Sequence, residues 1–326
     1  MLPAMWAISG NAPVRCARLS RGWRPLLADV FLVRRRVAPK REASRKLQAE
    51  CRNALRRPAL GRIIQTARGC PKVLASRNVK FMMNAMRKRL GMIAPSSNSV
   101  LEPVTYAMLS GVPGISAHFS RLRVTEIALD AEALDQFDPS RMLRAADLLA
   151  DAKVEAMAWN GTSASWLGIE RDRSLCEAIG ARTGKPATTS TLACIDAVRS
   201  SGAHRIGLVT PYTDDVQLRI EKVWSDAGIA CHAERHLGLR DNFSFAQVAP
   251  AEIADEIRAV VAEGCDAVVV LCTNMEGASV TAALERELNV LILDSVAVTL
   301  WRTMLLARAD PRILSSWGRV FQFSLS

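Results

Sequence analysis

Twice along this chain an apolar, β-type run ends in proline and small polar residues that open a helix. Each time, a second apolar run follows and ends in a small residue, then threonine, then another small polar residue. In the first set, Met92-Ile-Ala-Pro95-Ser96-Ser97-Asn98 is answered by Gly161-Thr162-Ser163; in the second, Leu208-Val-Thr-Pro211-Tyr212-Thr213-Asp214 is answered by Cys272-Thr273-Asn274. The separations are 66 residues from Pro95 to Gly161 and 61 from Pro211 to Cys272, which indicates one structural unit used twice. Further strands are expected at 90–94, 154–159, 205–210, 267–271 and 290–293, and helices at 98–109, 214–224 and 276–287, with Met142, Ala146 and Leu149 on one helical face. Strands alternating with helices imply parallel sheets covered on both faces. The predicted fold is therefore α/β, with parallel sheets in two similar domains that face each other across one cleft.

That architecture tells where ligands go. Open parallel sheets bind them beyond the carboxyl ends of the strands. Helix starts there present free N–H groups and a positive dipole end to an anion. Four such turns facing one cleft suit an anion, although Ser, Thr and Asn also cap helices for purely structural reasons.

The net charge of +11 does not describe this body. Up to Leu90 there are 22 Lys and Arg against 3 Asp and Glu; from Gly91 onward there are 21 against 29. A basic leader over residues 1–87 precedes a mildly acidic body, predicted to divide into 88–203 plus 297–326 and 204–296. The leader fits a poorly ordered extension, an organellar transit peptide or a segment that binds nucleic acid or anionic membrane by charge. Met82, Met83 and Met86 offer alternative starts. No apolar run is long enough to span a membrane, and the body itself shows no nucleic-acid signature. None of the eight cysteines forms a CxxC pair, so free thiols in a cytoplasmic protein are expected. Cys231, His232 and His236 lack a second ligand pair for zinc. His118, on the second strand, fits a packed residue better than a base.

The four motifs, with Glu102-Pro103, Ser165, Asp215 and the closing Trp317-Gly-Arg-Val-Phe321, resemble the aspartate/glutamate racemase superfamily, on the branch of maleate isomerases and arylmalonate decarboxylases. The resemblance spans roughly residues 88–326 and implies two similar Rossmann-like domains with parallel sheets related by a pseudo-twofold, with the active site in the interdomain cleft. It implies cofactor-independent chemistry beside a carboxylate. Two-thiol members carry a cysteine at both symmetric strand ends; here the second is Cys272 and the first is replaced by Gly161, as in arylmalonate decarboxylases. The resemblance then implies that one carboxylate leaves, that an enediolate forms from the other, and that Cys272 protonates it from one side. Thr162, Ser163, Tyr212 and Thr273 would form the carboxylate hole, and a neutral thiol is the form a general acid needs. Asn98 and Asn242 match positions where maleate isomerases hold carboxylates, which points to a small substrate with two polar ends. Trp159, Trp166 and Phe243 are candidate walls, and Gly161→Cys is expected to restore a second thiol. Cys176, Cys194, Cys231 and Cys265 are expected to be core residues. The alternatives are a maleate-type cis–trans isomerase or one-thiol racemase, an ectoine-utilisation protein of the same superfamily, and a carboxylate-binding protein without catalysis. The expected partner is a small carboxylate substrate, with a homo-oligomer possible.

Overall fold

The computed structural model describes residues 87–324. The expectations for the leader and its three methionines lie outside the described residues, which all belong to one compact unit. The first half runs β1 (Lys88–Pro95), α1 (Leu101–Leu109), β2 (Ile115–Leu122), α2 (Ala131–Asp135), α3 (Pro139–Asp151), β3 (Ala156–Trp159), α4 (Ala164–Leu167), α5 (Ile169–Thr183), β4 (Ala187–Thr189) and α6 (Ser190–Ser201). The second runs β5 (Ile206–Thr210), α7 (Asp214–Asp226), β6 (Cys231–His236), α8 (Pro250–Ala262), β7 (Ala267–Val270), α9 (Ala278–Leu288), β8 (Leu291–Asp294) and α10 (Ser295–Leu306).

The two sheets have the same plan. Their orders are β2-β1-β3-β4 and β6-β5-β7-β8, and every pairing is parallel. The central strands β3, β5 and β7 are buried at every residue, as parallel strands covered on both faces must be. The edge strands β2 and β6 carry the mixed pattern of partial exposure. Helix α3 buries Met142, Ala145, Ala146 and Leu149, the face that the sequence marked.

The halves interlock through the helices that leave their last strands. Helix α10, which follows β8, packs on α6 and on β3 and β4 of the first half, while α6 packs against β8. Thr299 donates to Ser190 at 2.8 Å across this joint.

Register sets the functional turns. Ile93 pairs with Trp159, and Val209 with Val270. Continuing each ladder by two residues puts Pro95 beside Gly161 and Pro211 beside Cys272. The next backbone bonds are equivalent too: Asn160 N–H donates to Ile93 O at 2.8 Å, and Leu271 N–H to Val209 O at 2.9 Å. His118 pairs with Gly91, far from this end, and its ring contacts Ser116 Oγ at 3.0 Å.

Candidate active site

The carboxyl ends of the central strands converge on one small cavity. Gly161, Thr162 and Ser163 reach it from the end of β3, Cys272 and Thr273 from the end of β7, and Tyr212 from the end of β5. Its volume is about 20 Å³, measured as space open to the centre of a water molecule. That holds about one water. Phe137 and Ser163 also border a larger groove of about 460 Å³, whose lining carries no thiol.

Hydrogen bonds across the halves hold the turns. Thr162 Oγ1 and the Tyr212 hydroxyl lie 2.7 Å apart. Reciprocally, Asn98 Nδ2 donates to Thr273 O and Thr273 Oγ1, both at 3.1 Å, and Thr273 Oγ1 donates to Asn160 O at 3.0 Å. The other end of the Asn98 amide accepts from Val100 N–H and Leu101 N–H, capping α1. That cap explains why the helix starts at Leu101 rather than Asn98. Both ends of Asn98 are thus engaged, and it fixes Thr273 without lining the cavity. Asn242 does line it, and donates to Ser97 Oγ at 2.7 Å. Its loop is tied down by Arg240, which pairs with Glu126 and with Asp130.

Cys272 is 3% exposed. Burial pushes its thiol up to about 12, although Asn274 N–H donates to the sulfur at 3.3 Å and the Tyr212 hydroxyl also bonds to it. The thiol is therefore neutral at ordinary pH and carries a proton to give. Tyr212 is fully buried, and burial raises its phenol well above the usual range, so it too is a neutral donor. Trp166 packs on Tyr212 with ring centroids 5.1 Å apart and planes inclined at 60°, and Phe245 meets Tyr212 edge-on at 5.5 Å.

The other described thiols stay away from the cavity. Cys194 and Cys265 are buried, whereas Cys176 and Cys231 are only half-buried, which corrects their reading as core residues. Cys231, His232 and His236 turn to separate partners, Ala233 O, Glu263 O and the Asp214–Glu234 pair.

The Gly161 side differs from expectation. A β-carbon built there would lie 2.3 Å from Trp159 Cε2 and Cζ2, inside the indole. A cysteine cannot be installed here while Trp159 keeps its place, so the simple Gly161→Cys restoration is corrected. Phe243 is also corrected: it is 53% exposed and does not line the cavity. Trp159 and Trp166 do line it, and neither indole N–H has a hydrogen-bond partner among the described residues.

Sequence reasoning missed two groups. Val124, Ile127 and Phe137 close the cavity from the segment after β2; nothing in their spacing marks them, because a loop places them. Asn274 is the second. Its Oδ1 accepts from Ser99 N–H at 2.9 Å and Val100 N–H at 3.3 Å, and its Nδ2 donates to Asn242 O at 2.6 Å. Its fixed place after Cys272-Thr273 was the available signal.

This geometry accords with what the chain matches. Residues 90–321 fit the family model described as arylmalonate decarboxylase. The chain belongs to the arylmalonate decarboxylase family. The arylmalonate decarboxylase of Bordetella bronchiseptica is 26% identical over 246 residues, 74% of this chain and 100% of that protein. The maleate isomerase of Pseudomonas putida is 28% identical over 217 residues, 61% of this chain and 83% of that protein. The crystal structure of the maleate isomerase from Pseudomonas putida S16 superposes with a TM-score of 0.66 at 25% identity, covering 72% of this chain and 98% of that one. These relatives are a lyase and isomerases. The present chain is an enzyme of the decarboxylase or isomerase type, and the two parallel sheets are the fold those structures share. No helix among the described residues is long and apolar enough to cross a membrane.

Proposed function

We propose that this enzyme decarboxylates a small malonate-type diacid and protonates the resulting carbanion from Cys272 alone. The observation that carries the reading is the asymmetry of the two equivalent turns: a buried neutral thiol at the end of β7, and a glycine covered by an indole at the end of β3. Cys272 is the one thiol on the cavity among the described residues.

The carbon–carbon bond to one carboxylate breaks and carbon dioxide leaves. The bonding pair passes into the remaining carboxylate, giving an enediolate. Thr162, Ser163, Tyr212 and the backbone N–H of Thr273 supply fixed donors for that charge, which need no reorganisation as it develops. The enediolate then collapses, the α-carbon takes the Cys272 proton, and the thiolate left behind recovers a proton from solvent. No cofactor enters this scheme.

The assay is proton NMR of malonate and methylmalonate in D₂O. Loss of carbon dioxide with deuterium delivered to one face is expected, and Cys272→Ala should lower turnover by about 100-fold or more. Turnover unaffected by Cys272→Ala refutes the mechanism. One observation favours a second reading, maleate-type isomerisation: Asn242 places an amide on a very small cavity, suited to a diacid that keeps both carboxylates. Conversion of maleate to fumarate without carbon dioxide would select it.

A further inference from the structure

Trp159 ends β3 and is fully buried. Its indole edge occupies the volume into which a side chain at Gly161 would grow, with Nε1 only 2.6 Å from that β-carbon position. By the internal repeat, this is the direction that Cys272 takes from the end of β7. An indole edge in the first half thus stands where a thiol stands in the second. The polar atom of that edge, Nε1, has no hydrogen-bond partner among the described residues. Leaving a buried N–H unpaired is costly, and such groups call for a specific explanation. Trp159 shares its cavity with Thr162, Tyr212 and Cys272, and a carboxylate oxygen is the acceptor that gives an N–H the strongest bond.

We propose that the Trp159 indole N–H is a substrate-positioning donor that takes an oxygen of the departing carboxylate of a small diacid, on the side of the cavity opposite Cys272. This rests on the reading of the cavity as a carboxylate site. Carbon dioxide is a far poorer acceptor than a carboxylate. The bond therefore weakens on the way to the transition state and contributes to substrate binding rather than to the chemical step.

The test follows the indole itself. The full chain, ¹⁵N-labelled and carrying Cys272→Ala to prevent turnover, is titrated with methylmalonate. The Trp159 resonance is identified by its loss in Trp159→Phe. The proposal expects a saturable shift of that resonance. It expects Trp159→Phe to weaken methylmalonate binding by about tenfold to a hundredfold, the worth of a hydrogen bond to a charged group. In the active chain the same change should raise KM without lowering kcat. Saturable binding that leaves the Trp159 resonance in place, a shift confined to Trp166, or no saturable binding each overturns the proposal. Should the Phe variant fail to fold, a crystal of the Cys272→Ala chain with malonate decides: a carboxylate oxygen about 3 Å from Trp159 Nε1 supports it, and a bound malonate elsewhere overturns it. If the Trp159 resonance shifts but the chain with Cys272 intact releases no carbon dioxide, the decarboxylation reading fails and the indole is left as a donor to a carboxylate that stays; carbon dioxide released with an unmoved resonance overturns the indole donor alone.

Discussion

The turn after β3 and the turn after β7 occupy the same place in two sheets of the same order, yet they have been put to different uses. At the second, the chain places a thiol, buries it, and surrounds it with Asn274 N–H and the Tyr212 hydroxyl. At the first, it removes the side chain altogether and lays Trp159 over the gap. The backbone geometry is nearly conserved between them, down to the equivalent bonds from Asn160 and Leu271. What differs is which residue fills one small volume. A repeated fold can therefore keep a symmetric scaffold and still present two unlike faces to whatever the cavity holds.

The comparison breaks most visibly at the thiol. Cys272→Ala should abolish the difference by leaving neither face with a proton donor, and the expected loss of about 100-fold or more is the largest effect predicted. The reverse manipulation needs two changes. Gly161→Cys alone forces a side chain into the indole and should cost about 1–3 kcal/mol, read as a melting temperature lower by several degrees. Trp159→Ala with Gly161→Cys clears the volume, at a further cost in stability because a fully buried indole is lost. It should also let an α-substituted product exchange its α-proton from both faces, followed by loss of optical purity. A single Gly161→Cys variant that is fully stable and racemises its product would contradict the packing described here.

A smaller effect is expected at the bridge between the halves. Tyr212→Phe removes the donor to Cys272 and leaves Thr162 Oγ1 without its partner. Turnover in the malonate assay should fall by less than it does for Cys272→Ala, because Thr162, Ser163 and the Thr273 N–H remain as donors. The smallest effect concerns the scaffold of the first half. Asp172 is buried, accepts from Thr189, and burial raises its carboxyl to about 7. The folded state keeps that proton to higher pH, whereas the unfolded state releases it from about 3.8. Stability should therefore be highest below that lower value and decline as pH rises toward 7. Asp294 is raised to about 7 in the same way and adds to the slope. Urea unfolding between pH 4 and 7 should show the decline, and Asp172→Asn should reduce it.

Much of this was legible in the sequence because period and spacing are local signals. The alternation of elements, the doubled turns and the placement of Thr162, Ser163, Tyr212 and Cys272 around one cavity follow from strand ends that the chain writes twice. Asn98 shows the limit. Its position was readable, but its amide is consumed by capping α1 and holding Thr273, and such bookkeeping depends on neighbours 175 residues away. Trp159 shows a second limit. The sequence offers it as a candidate wall, and only the three-dimensional turn of its ring onto Gly161 shows that it fills the volume a side chain there would take. Val124, Ile127 and Phe137 are placed by irregular chain, for which periodicity offers no rule.

The bonds that Asn98 and Asn274 make between the start of α1 and the Cys272 turn have a thermodynamic consequence. The cavity beside them has room for about one water, so the proposed diacid would need an opened form of it. Were these the bonds that open, measured affinity would be the intrinsic affinity scaled by the fraction of molecules in which they are open. Asn98 and Asn274 would then act on affinity from outside the cavity, through that population and through their hold on Thr273 and Asn242.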